Sequence, residues 1–219
     1  MKKGDFLLAD YAGRVVSSHD IFDTTVEKTA REGGAYSEGN EYKPVLIVIG
    51  KGMVVKGVEE ALEKMEKEGE EATITLPPEK AFGRRDARLV RTVPYSIFRE
   101  KNIEPAPGMF VDIAGMAAKI QSVSGGRVRI DFNHPLAGRE VIYWVKIVKL
   151  ITLPEEKIEA FTRHLRIKAK HRLADGRLVI EMENEPDKKI REFFEREIKG
   201  LVPEVKVVEF SVIKKGTGK

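Results

Sequence analysis

Short apolar runs alternate with polar loops through the first 84 residues. Residues 6 to 16 are rich in apolar side chains, with a turn expected at Gly13, and Ile21 to Thr25 follows a polar loop. These two runs predict an antiparallel pair of strands. Val45 to Ile49 is an unbroken aliphatic run, which is typical of a strand buried on both faces, and we expect it at the centre of a sheet.

A glycine-rich turn then leads into a predicted helix. Val58, Leu62 and Met65 recur at helical spacing with a glycine near each end, which predicts an amphipathic helix of about three turns. Ala72 to Leu76 has the composition of a strand. Two prolines follow it and end the strand, because proline lacks the N–H that a sheet hydrogen bond needs.

Residues 85 to 131 have their own pattern of turn residues. Three prolines interrupt the first half, and Gly125-Gly126 joins two runs of strand composition, Ala118 to Ser122 and Arg127 to Phe132. The net charge also changes near Arg84, from acidic before it to basic after it. We therefore predict a small inserted domain in this part of the chain.

The last third of the chain returns to alternating strands and helices. After a strand over Val141 to Ile151, the predicted order is helix, strand, helix, strand, which gives a third module. The four elements are Pro154 to Leu173, Leu178 to Met182, Pro186 to Lys199 and Val205 to Ile213. In the first of these helices one apolar stripe contains Ile158, Phe161, Leu165 and Ala169.

Composition excludes several classes of function. The chain has no cysteine, which excludes disulfides, zinc–thiolate sites, iron–sulfur clusters and a cysteine nucleophile. Its four histidines are scattered, so we expect no metal site and no cofactor. The longest aliphatic run is far shorter than the roughly 18 residues that span a bilayer. The apolar stretch after Lys2 and Lys3 is too short for a secretory signal, and we expect a cytoplasmic protein with no membrane partner.

The densest basic stretch is Arg163 to Arg172, which contains no acidic residue. Its cations are Arg163, Arg166, Lys168, Lys170 and Arg172. Such a stretch either binds nucleic acid or forms the solvated face of a helix. We favour the solvated face, because aromatic residues are not interleaved with the cations as single-strand binding requires. Nucleotide chemistry is not expected either, since Gly50-Lys51-Gly52 lacks the flanking residues of a phosphate loop.

Asp23 differs from the carboxylates that decorate the predicted helix. It lies between Phe22 and a pair of threonines in a segment of strand composition. Taken alone, these residues leave two interpretations open, a capping or turn aspartate and a carboxylate in an apolar pocket, and they favour the first.

Several separated segments match one family in the same order along the chain, and this match favours the interpretation of Asp23 as a pocket residue. The chain resembles FKBP-type peptidyl-prolyl cis-trans isomerases in Tyr11 with Gly13, Phe22-Asp23-Thr24, Gly50-x-x-x-Val54-Val55-x-Gly57 and Ala81-Phe82-Gly83. It is similar to the SlyD-like branch, whose flap is replaced by a chaperone domain, in Leu89-Val90, Val93-Pro94, Phe98 and Asn133-His134-x-Leu136-Ala137-Gly138. The matches cover about residues 4 to 151, and the remaining module is similar to that of long archaeal members.

The resemblance implies an α+β fold and an enzyme without cofactors. An FKBP-like antiparallel half-barrel sheet around one helix would occupy residues 1–84 and 132–151. A small β-rich chaperone domain would occupy 85–131, and a C-terminal α/β module 152–219. The substrates implied are X-Pro bonds of unfolded or nascent polypeptides. The chain has no His-rich tail, so a metal-delivery role does not carry over.

The resemblance also implies the residues of the site. The catalytic residues would be Tyr11, Asp23, Phe82 and Tyr143, and the substrate-binding residues Phe22, Val54, Val55 and Val58. The inserted domain contains many apolar residues for its size, so we expect an exposed surface that holds unfolded chains. That surface would comprise Val90, Val93, Ile97, Phe98, Met109, Phe110, Ile113 and Met116.

The C-terminal module contains no catalytic constellation. A two-stranded sheet is marginal alone, so its open edge and the apolar residues Phe193, Phe194, Val207 and Phe210 predict a homodimer through a second copy of the module. The alternative from another functional class is a non-catalytic chaperone or binding protein, whose basic C-terminal module docks on RNA or on a partner protein.

Overall fold

Alternating apolar and polar side chains build the longest strands of this protein. The computed structural model describes residues 1–184 and 186–212. Within them the strands are β1 (Phe6–Val15), β2 (Ile21–Thr24), β3 (Val45–Val48), β4 (Glu71–Leu76), β5 (Val90–Pro94), β6 (Phe110–Ile113), β7 (Met116–Ser124), β8 (Arg127–Asp131), β9 (Val141–Ile151), β10 (Ala169–Ala174), β11 (Arg177–Met182) and β12 (Val207–Val212). The helices are α1 (Glu27–Glu32), α2 (Lys56–Leu62), α3 (Ser96–Glu100), α4 (Pro154–His164) and α5 (Lys188–Leu201).

The main sheet has the strand order β2-β1-β9-β4, and β3 pairs with the first half of β1. The predicted antiparallel pairing of the two N-terminal runs is confirmed, because β2 pairs with the second half of β1. The predicted turn at Gly13 is wrong. Gly13 lies inside a continuous strand, and the register shifts between it and Arg14. Helix α2 ends at Leu62, earlier than its apolar spacing predicts, although Val58, Leu62 and Met65 are all buried.

Strand β3 is buried on both faces, as predicted, but it is not central. It pairs with β1 alone among the described strands, so its predicted position at the centre of the sheet is wrong. The side chains of Phe6 and Leu8 lie opposite those of Val48 and Leu46 across the pair. These four residues pack into one core with the C-terminal segment, which explains how a strand at the edge of a sheet has no solvated face.

The C-terminal segment contributes two helices and a three-stranded sheet. The sheet order is β10-β11-β12, with an antiparallel first pair and a parallel second pair. The predicted helix from Pro154 is wrong beyond His164. Arg166 adopts a left-handed conformation with φ of 56°, and Ala169 belongs to β10. The predicted two-stranded sheet is therefore wrong, and Ile213, the predicted end of the last strand, lies outside the described residues.

The core of the C-terminal segment is shared with the main sheet. The rings of Phe161 and Phe210 lie 5.7 and 5.9 Å from that of Phe194, which is fully buried. Their cluster includes Phe6 and Val48 of the main sheet. An ion pair between Lys51 and Glu197, 2.8 Å long, also joins the loop after β3 to α5.

A second sheet, β5-β8-β7-β6, shares an apolar core of its own with the short helix α3. The predicted Gly125-Gly126 connection is confirmed, because both glycines have positive φ and join the antiparallel strands β7 and β8. Phe98 is 1% exposed and packs in this core beside Ile120 and Ile130. Its predicted place on an exposed surface is therefore wrong.

The described chain divides into two units. One contains residues 1–14, 20–74 and the described part of 142–219, and the other contains residues 15–19 and 75–141. The division into three domains at residues 84, 131 and 151 stays a prediction. Among the described residues, no helix is long and apolar enough to cross a membrane.

Replacing one of two adjacent phenylalanines tests the shared core. Phe194→Ala is expected to lower the free energy of unfolding by about 3–5 kcal/mol, because it removes a fully buried ring. Phe193→Ala is the matched control and, in protein dilute enough to be monomeric, should lower it by less than about 1 kcal/mol, because that ring is 41% exposed. Urea unfolding of both variants measures the difference, and equal losses would contradict the described packing.

Candidate active site

Tyr11 and Asp23 are joined by a hydrogen bond across β1 and β2. The Tyr11 hydroxyl donates to Asp23 Oδ2 at 2.7 Å. Asp23 lies directly opposite Gly13, so the tyrosine reaches it along the diagonal of the strand pair. Burial raises the pKa of the Tyr11 hydroxyl well above its ordinary value, and the hydrogen bond and charge of Asp23 raise it further. Tyr11 is therefore a protonated donor at neutral pH.

Two more rings complete an aromatic cluster beside this pair. The rings of Phe22 and Tyr143 meet edge to face with centres 5.6 Å apart, and those of Tyr11 and Tyr143 are 6.2 Å apart. Tyr143 lies on β9 and is 6% exposed. Burial raises the pKa of its hydroxyl above the ordinary value, and the charge of Asp23 adds to this effect.

Gly13 allows these rings to approach each other. A Cβ at Gly13 would lie 2.5 Å from Cζ of Phe22 and 3.0 Å from Cε1 of Tyr143. The first distance is too short for any side chain, so only glycine leaves the ring of Phe22 in place. The resemblance pairs this glycine with Tyr11, and the structure gives the physical reason for it.

Two threonines that the sequence analysis noted only as neighbours of Asp23, without a role, hold the backbone of Tyr11. The Tyr11 N–H donates to Thr25 Oγ1 at 2.9 Å, and the Thr25 N–H donates to the Tyr11 carbonyl at 3.0 Å. The Thr24 hydroxyl donates to the same carbonyl at 2.9 Å. Thr25 is one of the few buried polar residues of the described chain. The tendency of threonine hydroxyls to bond nearby backbone groups is the signal that could have given this pair its role.

The predicted substrate-binding valines lie around the start of α2. Val54 and Val55 are half-buried, and Val58 is 1% exposed. Val55 is the extended residue that precedes the helix, with φ of −61° and ψ of 146°. Its N–H donates to no acceptor within residues 1–184 and 186–212, which leaves it available to a substrate carbonyl.

Phe82 belongs to the other unit, where it stacks on His134 with ring centres 4.5 Å apart. The next residue, Gly83, accepts a hydrogen bond of 2.8 Å from the N–H of Gly138. The two motif segments on either side of residues 85–131 therefore contact each other. The role of Phe82 in catalysis stays a prediction.

The apolar residues predicted to form the chaperone surface differ in exposure. Phe110 is 59% exposed, Met116 53% and Met109 39%. The other predicted members of this surface, apart from Phe98, are half-buried: Val90, Val93, Ile97 and Ile113. Within the part of the chain that the structure describes, no three acidic or histidine side chains are grouped to hold a metal ion.

Comparison with known proteins places the chain in a family. The family model for the FKBP-type peptidyl-prolyl cis-trans isomerase matches residues 1–96, and the model for the IF domain of FKBP26 matches residues 91–136. A short-type peptidyl-prolyl cis-trans isomerase of Methanocaldococcus jannaschii is 40% identical over 147 residues, which are 67% of this chain and 92% of that protein. The chain belongs to the FKBP-type peptidyl-prolyl cis-trans isomerases. The resemblance inferred from Tyr11, Asp23 and the later motifs is thereby confirmed.

Bacterial FKBP-type proteins are also similar to this chain. The isomerase SlyD of Helicobacter pylori is 28% identical over 156 residues, which are 70% of this chain and 76% of that protein. A 16 kDa FKBP-type isomerase of Escherichia coli is 30% identical over 121 residues, which are 53% of this chain and 80% of that protein. The SlyD-like assignment and the predicted α+β FKBP fold are confirmed.

A methyl group at position 13 tests whether the aromatic cluster serves the FKBP activity. Gly13→Ala should keep the fold but lower prolyl turnover by about tenfold or more, because the ring of Phe22 must move away. Protease-coupled turnover of an X-Pro tetrapeptide measures the effect. Gly200→Ala is the control, since a Cβ there meets no atom within 4 Å. Equal turnover of Gly13→Ala and the parent would show that the cluster is not the site.

Proposed function

We propose that this peptidyl-prolyl cis-trans isomerase binds the X-Pro segment of an unfolded polypeptide against the rings of Tyr11, Phe22 and Tyr143. The observation that carries the proposal is the 2.7 Å hydrogen bond from Tyr11 to Asp23 beside the edge contact of Phe22 with Tyr143. Asp23 is exposed and Tyr11 and Phe22 are half-buried, so a substrate can reach both the polar pair and the rings. A protonated hydroxyl and a carboxylate beside an apolar aromatic surface match the polar and apolar groups of an X-Pro amide that is about to rotate.

The reaction requires weakening of a partial double bond rather than breaking of a covalent bond. Resonance gives the X-Pro C–N bond double-bond character and a rotation barrier of about 18–20 kcal/mol. An apolar surface that removes water from the carbonyl disfavours the charge-separated resonance form. The barrier then falls, because that form is the one that rotation must abolish.

Positioning of the substrate is the second contribution to the lowering of the rotation barrier. The free N–H of Val55 is suited to hold the substrate carbonyl, while Tyr11 and Asp23 contact the twisted amide. Phe82 is counted among the catalytic residues on the family resemblance alone. No proton is transferred in this mechanism, and each tenfold acceleration requires only about 1.4 kcal/mol.

Removing the carboxylate tests this assignment. Asp23→Ala should lower turnover of an X-Pro tetrapeptide by about tenfold or more, because Tyr11 loses the acceptor that orients it. Tyr11→Phe, which keeps the ring, should give a loss of similar size. Asp20→Ala, an exposed carboxylate just before β2, is the matched control. Full activity of Asp23→Ala at an unchanged circular dichroism spectrum would remove Asp23 from the site.

We also propose that residues 85–131 form a chaperone domain that holds the client. Phe110, Met109 and Met116 are the exposed apolar side chains that support this role, since methionine adapts to clients of different shape. A held client has a higher local concentration of X-Pro bonds at the catalytic site. Nascent chains as clients fit the cytoplasmic location, which stays a prediction.

Deleting the chaperone domain should separate the two activities. The Asp86 N–H donates to Asn133 Oδ1 at 2.8 Å, and Asn133 Nδ2 donates back to the Asp86 carbonyl at 2.9 Å, so the ends of the segment are adjacent. Replacing residues 85–131 by a short loop should leave tetrapeptide turnover within about threefold of the parent, because the loop leaves Tyr11 and Asp23 unchanged. Proline-limited refolding of an unfolded protein should lose its catalysis. Unchanged refolding catalysis would contradict the chaperone assignment.

A second copy of the chain is proposed as partner of the C-terminal module. Phe194 and Phe210, two of the residues on which the dimer prediction rested, pack inside the chain. Ile190 and Phe193 on α5 and Val207 on the edge strand β12 stay 41–47% exposed. Sedimentation at tens of micromolar tests the dimer, with Phe193→Ser as the variant that should weaken it. A monomeric parent contradicts the dimer. RNA binding by the full chain that weakens steeply with salt would instead favour the alternative partner.

A further inference from the structure

A cleft with a volume of about 550 Å³ lies in the unit that contains residues 75–141. This volume is within the range of about 300–1,000 Å³ that ligand clefts occupy. Its lining includes one exposed phenyl ring, that of Phe110, the imidazole of His134, three cationic side chains and one carboxylate. The charged residues are Arg85, Lys119, Arg139 and Asp131.

Asp131 has a full set of partners within the cleft. Its carboxylate accepts hydrogen bonds from Arg85, from Gln121 Nε2 at 2.9 Å and from the N–H and Nδ2 of Asn133 at 3.0 and 2.7 Å. Burial alone would raise the pKa of this carboxyl, but the hydrogen bonds from Asn133 and Arg85 lower it below its ordinary value. Asp131 is therefore ionised, and it neutralises Arg85.

The cleft keeps two positive charges after Arg85 and Asp131 have neutralised each other. Neither Lys119 nor Arg139 forms an ion pair with an acidic residue among those described, in contrast to Arg85. Asp131 lies opposite Lys119 in the pair of β7 and β8, but its carboxylate is already bonded to Arg85, Gln121 and Asn133. Lys119 lies directly opposite Phe110 on β7 and β6, and its ammonium is 5.6 Å from the centre of the Phe110 ring. The cleft thus presents an aromatic surface next to two uncompensated cations.

We propose that this cleft selects client segments in which an aromatic or large aliphatic side chain is flanked by Asp or Glu. Phe110 contacts the apolar side chain, and Lys119 and Arg139 pair with the carboxylates. The inference rests on the proposed chaperone function of residues 85–131 and adds a charge preference to it. A polypeptide fits better than RNA, because single-strand binding stacks successive bases on several rings. Among the described lining residues Phe110 is the one phenyl ring, and the imidazole of His134 is already stacked on Phe82.

Three proline-free peptides of about 15 residues test the preference on the full chain. Each has one central Phe, flanked on both sides by Asp, by Ser or by Lys. Fluorescence anisotropy at low salt should give about tenfold tighter binding for the Asp-flanked peptide than for the Ser-flanked one, and weaker binding for the Lys-flanked one. The advantage should shrink at high salt, because the pairing charges are exposed.

A double variant locates the preference in the cleft. Lys119→Gln with Arg139→Gln should reduce the advantage of the Asp-flanked peptide to within about twofold. The control, Lys101→Gln with Arg127→Gln, changes the net charge equally at exposed positions outside the cleft and should keep the advantage. An advantage that survives in the double variant would overturn the proposed site.

The remaining outcomes separate this inference from the function on which it rests. Equal binding of all three peptides would overturn the charge preference and leave the chaperone function intact. If none binds and aggregation of an unfolded client is not suppressed, the chaperone function fails together with the inference. A uridine oligomer that displaces the Asp-flanked peptide, and binds less well to the double variant, would identify RNA as the occupant and overturn the proposal.

Discussion

The strand pair β1–β3 buries apolar side chains on both of its faces. Phe6 and Val48 point into the core shared with the C-terminal segment, and the alternate residues Leu7 and Ile47 are fully buried as well. Each Å² of apolar surface removed from water contributes roughly 25 cal/mol to the free energy of folding, so burial of side chains on both faces stabilises β1 strongly. Tyr11 follows two residues after Ala9 on the same strand, so the C-terminal segment supports the strand that carries the site.

That support matters because the proposed site would work by shape and desolvation rather than by ionisation. Burial raises the pKa values of Tyr11 and Tyr143 further above neutrality, so neither hydroxyl ionises, and the Phe22 ring occupies space that only a glycine at position 13 leaves free. A shift of less than about an ångström in the backbone that carries these rings would disturb their contacts with one another. A strand anchored at its other end, with Thr24 and Thr25 bonded to the Tyr11 backbone, limits these displacements.

The sequence predicted local features better than long-range ones. Burial of Val45 to Ile49 follows from its composition, but its place at the edge of the sheet depends on packing by residues more than a hundred positions away. The helix from Pro154 ends early because Arg166 turns the chain left-handed, which helical spacing does not signal. Asp23 was ambiguous on its residues alone, since its bond to Tyr11 depends on strand register. Phe98 was misplaced because apolar spacing does not tell which side of a short helix faces the core.

The hydrogen bonds between Asp86 and Asn133 have a consequence for how such a chain can be built. The entropy lost on closing a loop depends only weakly on its length, and here the loop ends are already fixed beside each other. A segment held in this way is an exchangeable insertion, because the surrounding backbone needs only two neighbouring attachment points. Any small domain whose termini are equally close could be exchanged at this junction, so the proposed holding of a client could evolve separately from the rotation of its peptide bond.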